Sequence, residues 1–351
     1  MRPAIPTANT RPATPRLKAR RMLWRARTFL LVGVVASGCG SGPKHASGPT
    51  IGIPSGSVVK SGTCDPLVAG LCSRVSVAQW QNVAYTPAIR CDSDAGVTCR
   101  LMMDITAPTS GGPWPLIVFV PGGPSPPDER YSGDLDPFVH ALAGQGAVVM
   151  VAGWREGPDW GGGYPTSFQD VACAIGVARK IGPAYGASPD RVTLEGHSTG
   201  GWPAAVVGLT PSPFTPKPGS CDPTAGSLRP DDVVVGDGEL NEVTKPGAAD
   251  GLPYVTGFLG GDRAKRPAAW AAADPFALAR RYPGGAGTTP FLLIHGSADS
   301  TVLPAVSRSF QAVLVAAGYR SRLVVIRGAD HVGSLYSKQG IESILKAATE
   351  K

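Results

Sequence analysis

Residues 191–202 read RVTLEGHSTGGW, an apolar strand-like run that enters a cluster of glycines and leaves as the helix-like WPAAVVGL. A strand that becomes a helix within a few residues leaves no space for side chains at the corner. Gly196, Gly200 and Gly201 are therefore read as points of close backbone approach, with Ser198 held at the tip. The bare pattern G-x-S-x-G decides little. With 46 glycines in 351 residues, roughly a few tenths of a match arise by chance, so its meaning rests on what surrounds it.

The surroundings are those of an alternating α/β chain. VAQWQNVAYTP and VTCRLMMDITAP read as paired strands, and WPLIVFVPGG and GAVVMVAGW as buried strands. FQDVACAIGVARKIGPAYG carries Val171, Ile175, Ala178 and Ile181 at helical spacing. Further on, VVVGDG, PFLLIHG and RLVVIRG read as strands, and PAVSRSFQAVLVAAGY and IESILKAATE as helices. Continuous apolar strands alternating with helices predict a mostly parallel sheet covered on both faces. No internal repeat or second domain is evident: residues 211–230 read as loop and 236–272 as a small insertion.

The net charge of +7 is concentrated at the N-terminus. Residues 1–38 hold eight basic side chains and no acidic one, and without them 25 basic residues face 26 acidic ones. Basicity is thus no sign of a nucleic-acid partner. Arg25 and Arg27, the apolar FLLVGVVA and the small Ser37 and Gly38 before Cys39 read as a secretory signal too short to span a bilayer. The ending A-S-G-C resembles the lipobox of bacterial lipoproteins, which implies acylation of Cys39 and a lipid anchor in the cell envelope; plain secretion is the alternative. The Gly/Ser/Pro-rich residues 39–62, with His45, read as a tether, and residues 63–351 as one domain. Apart from Cys39 there are six cysteines, an even number suited to an oxidising compartment. Their spacing suggests Cys64–Cys72, Cys91–Cys99 and Cys173–Cys221 among the pairings possible. No cysteine pair has C-x-x-C spacing and no histidine adjoins them, so no metal is expected.

A serine hydroxyl attacks only if a base takes its proton. Among five histidines, His45 is in the tether, His140 lies on an amphipathic segment before the sheet, and His197 adjoins Ser198 and is read as pointing elsewhere. His295 closes a strand and is read as positioning a loop. His331, on the loop after a late strand (VVIRGADHVG), is the candidate base. The acid should lie between Ser198 and His331 at a strand end, which selects Asp299 in PFLLIHGSADS over Asp330, Asp237 and Asp274. An oxyanion needs preorganised N–H donors: Thr199, and Gly122 or Gly123 in PGGP, where Pro121 and Pro124 cannot donate. Trp202, with Trp154, Trp160 and Tyr164, is a candidate lining of the substrate pocket.

Taken together, LMMDITAP, PLIVFVPGG, FQDVACAIGVARKIGPAYGASPDRVTLEGHSTGG and the blocks from FLGGDRAKRPAAW through GADHVG resemble α/β-hydrolases of the bacterial esterase/lipase group that includes acetyl and feruloyl esterases. The resemblance covers roughly residues 78–348. It implies an α/β-hydrolase fold, a Ser198–Asp299–His331 triad, an ester substrate and no cofactor. PGGP departs from the usual H-G-G-G and partly resembles the H-G-G-P of prolyl-oligopeptidase-like peptidases. Peptide cleavage is therefore an alternative, and a non-catalytic binding lipoprotein a second.

Overall fold

The computed structural model describes residues 55, 58–68, 70–92, 96–123, 135–222, 226–240 and 253–350. The expected signal segment, Cys39, His45, most of the tether and Pro124 lie outside the described residues. Residues 48–351 form one compact unit.

The elements, in chain order, are β1 (Val77–Ala84), β2 (Ile89–Arg90), β3 (Thr98–Cys99), β4 (Met102–Pro108), β5 (Trp114–Val120), α1 (Asp136–Gly144), β6 (Val148–Ala152), α2 (Thr166–Ile181) and β7 (Ala187–His197). They continue with α3 (Gly201–Leu209), β8 (Asp232–Gly236), α4 (Pro253–Phe258), α5 (Pro267–Ala272), α6 (Pro275–Arg281), β9 (Phe291–Gly296), α7 (Ala305–Ala316), β10 (Ser321–Ile326) and α8 (Lys338–Thr349). Eight strands make one sheet in the order β1-β4-β6-β5-β7-β8-β9-β10, with β2 and β3 a separate hairpin. β1–β4 and β4–β6 pair antiparallel; the strands from β6 to β10 run parallel. His140 lies within α1, between β5 and β6, rather than ahead of the sheet.

The unbroken apolar runs follow from burial on both faces. Along β5, Leu116, Val118 and Val120 enter one core layer, which contains Phe168 of α2, Val206 of α3 and Phe310 of α7. Ile117 and Phe119 enter the other, which contains Phe138 of α1 and Ile341 and Ile344 of α8. The period-two alternation of a strand is therefore present, but both faces demand apolar groups, so the sequence hides it. Helix α3 is buried along its whole length, whereas β10 at the sheet edge is only partly buried.

Disulfides join Cys64–Cys72, Cys91–Cys99 across the β2–β3 hairpin, and Cys173 of α2 to Cys221 in the loop after α3. A second anchor of that region is the ion pair of Arg155 and Asp170, bidentate at 2.6 and 2.8 Å and almost fully buried.

One group runs against this apolar interior. Glu195 of β7 is fully buried in register with Phe119 and Val234, and neither carboxylate oxygen has a hydrogen-bond partner among the described residues. Burial pushes its pKa from 4.5 up to about 8. Between these values the folded chain holds a proton that the unfolded chain has released. Stability therefore falls as pH rises through this window and levels off above it. Glu195→Gln removes this slope, and by linkage should raise stability at pH 8.5 by on the order of 4 kcal/mol more than at pH 5. Urea unfolding at the two pH values checks this; equal effects at both would mean the carboxyl never pays a burial cost.

Candidate active site

The carboxyl ends of five adjacent strands, with the loop after β6, converge on one rim. Gly122 follows β5, Glu156 follows β6, Ser198 follows β7, Asp237 follows β8, Asp299 follows β9 and His331 follows β10. The sequence leaves β5 for β6 on one side and returns through β7 on the other. This rim therefore sits at a topological switch point, the place at which open α/β sheets generally bind their ligands.

Ser198 has φ +53°, in the left-handed region. For a residue with a Cβ this costs about 1–2 kcal/mol, so the surroundings must impose it. They do so by close packing of strand on helix. A Cβ on Gly196 would lie 2.3 Å from the Gly200 oxygen, and one on Gly200 would lie 2.2 Å from the Val120 oxygen. Both glycines are steric requirements of the corner.

Three distant side chains meet at its tip. The Ser198 hydroxyl donates to His331 Nε2 (2.9 Å), and His331 Nδ1 donates to Asp299 Oδ2 (2.8 Å). Burial works to raise the Asp299 pKa, but hydrogen bonds from His331 and from the amides of Val302 and Thr301 outweigh it and hold the carboxyl below its usual range. Asp299 is therefore ionised when His331 needs orienting. The rival acids are engaged otherwise. Asp330 accepts from Gly333 N, and Asp274 caps α6 through Phe276 N and Ala277 N. Asp237 accepts from Gly296 N (2.8 Å) and from the hydroxyl of Ser334, tying the acid loop to the histidine loop. Burial pushes its carboxyl up to about 7.

The neighbouring histidines support this arrangement. His295 Nε2 donates to Val302 O (2.8 Å) and Nδ1 accepts from Ser307 Oγ (2.7 Å), which ties the Asp299 loop to α7. The side chain of His197, read from the sequence as pointing elsewhere than at Ser198, reaches the backbone of His331: its Nε2 donates to the His331 carbonyl (2.8 Å). Burial lowers its pKa to about 4, so it does this as a neutral imidazole. The contact spans 134 residues of sequence, and no local pattern announces it.

Gly122 lies against Ser198, since a Cβ there would be 2.7 Å from Ser198 Cβ and 3.0 Å from Thr199 N. Gly123 N–H donates to Thr199 Oγ1 (2.9 Å), so this expected oxyanion donor is already occupied in the resting arrangement. Trp202 does not line a pocket as expected. It is buried, its indole N–H donates to Ala273 O (2.6 Å), and its ring stacks on Phe258 and Phe168. An inward-facing position on the buried helix α3 explains the difference. Trp160 is half-buried on the short turn 158–160 after β6, and Trp154 donates to Pro121 O (3.1 Å). Asp237, His295 and Asp299 lie close enough to share a metal, yet Asp299 and His295 already spend the relevant atoms on His331 and Val302.

The model of the BD-FAE family matches residues 103–314, more than half of the chain. The chain belongs to the BD-FAE family. The BD-FAE match takes in Ser198 and Asp299, and His331 follows it. The chain is 24% identical over 249 residues to Esterase LipQ of Mycobacterium tuberculosis (strain ATCC 25618 / H37Rv), a stretch covering 64% of this chain and 56% of LipQ. This chain thus matches little more than half the length of that curated relative.

Among solved structures, it is similar to a truncated carbohydrate esterase from gut microbiota (TM-score 0.57, 19% identity, 77% of this chain and 95% of that one). It is also similar to the propionate-bound thermophilic esterase Est2 of the Planctomycetes species Thermogutta terrifontis (TM-score 0.53, 23% identity, 75% and 92%). These likenesses speak for the fold, which is that of an α/β-hydrolase.

Proposed function

We propose that this BD-FAE protein is a serine carboxylesterase that hydrolyses small or carbohydrate-linked esters. The observation that carries the reading is the continuous hydrogen-bonded line from Ser198 through His331 to Asp299. His331 Nε2 takes the proton as Ser198 Oγ attacks the ester carbonyl, and Asp299 stabilises the imidazolium. The tetrahedral oxyanion is held by the N–H groups of Thr199 and of Gly122, since the Gly123 N–H is spent on the Thr199 hydroxyl. Collapse transfers the proton from His331 to the departing alcohol and leaves an acyl-Ser198. Water, deprotonated by the same imidazole, then releases the acid and restores the serine. Every proton lost is returned within the cycle, so no cofactor is required. The relative named Esterase LipQ supports an ester substrate, and the fold neighbour named a carbohydrate esterase is the reason carbohydrate-linked esters are included. We also propose export and a lipid anchor at Cys39, on the strength of the N-terminal pattern and of three disulfides suited to an oxidising compartment.

The test is a panel of p-nitrophenyl esters of rising acyl length, acetylated xylan and an aminoacyl anilide, with a fluorophosphonate probe in parallel. Ester turnover well above anilide turnover, and labelling that vanishes in Ser198→Ala, are expected. Anilide turnover exceeding ester turnover would move the protein to the peptidases. A wild-type chain that neither labels nor turns over esters would refute an enzymatic role.

A further inference from the structure

We propose that Glu156 is a positioning residue for the oxyanion loop, acting through the hydroxyl of Thr199; the inference rests on the esterase reading above. Segments following three different strands meet at one atom, Thr199 Oγ1. From the β5 end, Gly123 N–H donates to it at 2.9 Å. From the β6 end, Glu156 Oε1 accepts its proton at 2.5 Å. From the β7 end, Thr199 is the residue that follows Ser198.

A hydroxyl has one proton and must choose where to send it. The Gly123 carbonyl, at 3.3 Å, is the competing acceptor. The Glu156 oxygen is much the closer of the two, at 2.5 Å against 3.3 Å, so the hydroxyl proton is held on that side. With the proton fixed on Glu156, an oxygen lone pair is free for the Gly123 amide. Were the proton to swing to the Gly123 carbonyl, the hydroxyl would offer that amide a poorer acceptor. Threonine suits the task, because its branched Cβ holds the hydroxyl direction with little rotamer freedom.

Glu156 is itself held fast. It is only 2% exposed, follows directly on Arg155 of the buried ion pair with Asp170, and its carbonyl accepts from the Tyr254 hydroxyl at 3.4 Å. That burial makes it a poor grip for substrate and a good brace. The oxyanion loop is consequently pinned on both sides of Gly122, by Trp154 at Pro121 O and by Thr199 at Gly123 N. Gly122, between the pins, is pressed onto Ser198. Donors set in advance need no reorganisation when charge develops, and that is where such a brace contributes to rate.

The experiment compares wild type, Thr199→Val, Thr199→Ser, Glu156→Gln and Ser198→Ala in steady-state hydrolysis of p-nitrophenyl butyrate. It also measures the rate of fluorophosphonate inactivation and the Tm of each. Thr199→Val is expected to lower kcat about 10- to 100-fold with KM moving less than about 3-fold, since the loss falls on the transition state. Fluorophosphonate inactivation should slow by a similar factor. Glu156→Gln should lose roughly 5- to 30-fold in kcat, and Thr199→Ser should recover most of the valine loss because the hydroxyl returns. If Glu156→Gln fails to fold, the valine and serine variants carry the test alone. The proposal is overturned if Thr199→Val keeps kcat within about 2-fold of wild type, if the loss falls on KM, or if serine does no better than valine. Ester turnover unchanged in Ser198→Ala would instead sink the esterase reading, and this inference with it.

Discussion

His331→Ala is expected to lower kcat for ester hydrolysis by about a million-fold, Ser198→Ala by about the same factor, and the double variant by no more than either. The reason lies in the geometry. Ser198 Oγ and His331 Nε2 share one hydrogen bond of 2.9 Å, and neither group catalyses without the other. Removing the base leaves a neutral hydroxyl with no proton acceptor, and removing the hydroxyl leaves a base with nothing to activate. Free energies of groups that act as a unit do not add. Asp299→Asn should cost less, about 10⁴ in kcat, because the imidazole remains but its tautomer is no longer enforced. Single-turnover kinetics on a p-nitrophenyl ester measures all four, with wild-type sites titrated by the fluorophosphonate probe and the variants normalised to folded protein. Losses for serine and histidine that multiply in the double variant would show that the two side chains do not work together.

Asp170→Ala is expected to have the largest effect on stability, about 3–5 kcal/mol, corresponding to roughly 10 °C in Tm. Asp170 and Arg155 are nearly solvent-free, at 4% and 9% side-chain exposure. Deleting the carboxylate strands a guanidinium that cannot shed its charge. Its remaining Nη1 contact with the Arg90 carbonyl, at 2.9 Å, does not replace a bidentate anion. Replacing both partners, as Arg155→Met with Asp170→Leu, should restore most of the loss, since the burial penalty then disappears with the charges. Urea unfolding of the two single variants and the double variant checks this. A double variant as unstable as Asp170→Ala would mean that packing, not charge, holds the β6 exit loop. Because Glu156 is the next residue, the single variant should also lose ester turnover beyond its unfolded fraction.

Some of this was readable without coordinates. The corner at Ser198 is a local object: strand, glycines and helix lie between residues 187 and 209, and the clashes that demand glycine at 196 and 200 involve the corner and the adjoining strand. The alternation of strands and helices was equally legible, because burial on both faces writes continuous apolar runs into β5, β6, β8 and β9. Trp202 shows where such reading fails. A large aromatic beside a nucleophile looks like pocket lining in one dimension, yet the phase of α3 turns it into the aromatic cluster with Phe168 and Phe258. The partner of His197 was equally hidden, since it is a backbone carbonyl 134 residues away.

The order of local elements, the glycine-bound serine and the short set of acids and bases able to serve it are properties of the sequence, because each depends on neighbours a few residues apart. Which aspartate faces the imidazole, that Asp237 ties two loops, and that Glu156 reaches Thr199 are decided by the strand order β6-β5-β7-β8-β9-β10. That order brings residues 32 to 134 positions apart within hydrogen-bonding reach, and hydrogen bonds of under 3 Å are selected by three-dimensional proximity, which spacing along a chain does not encode.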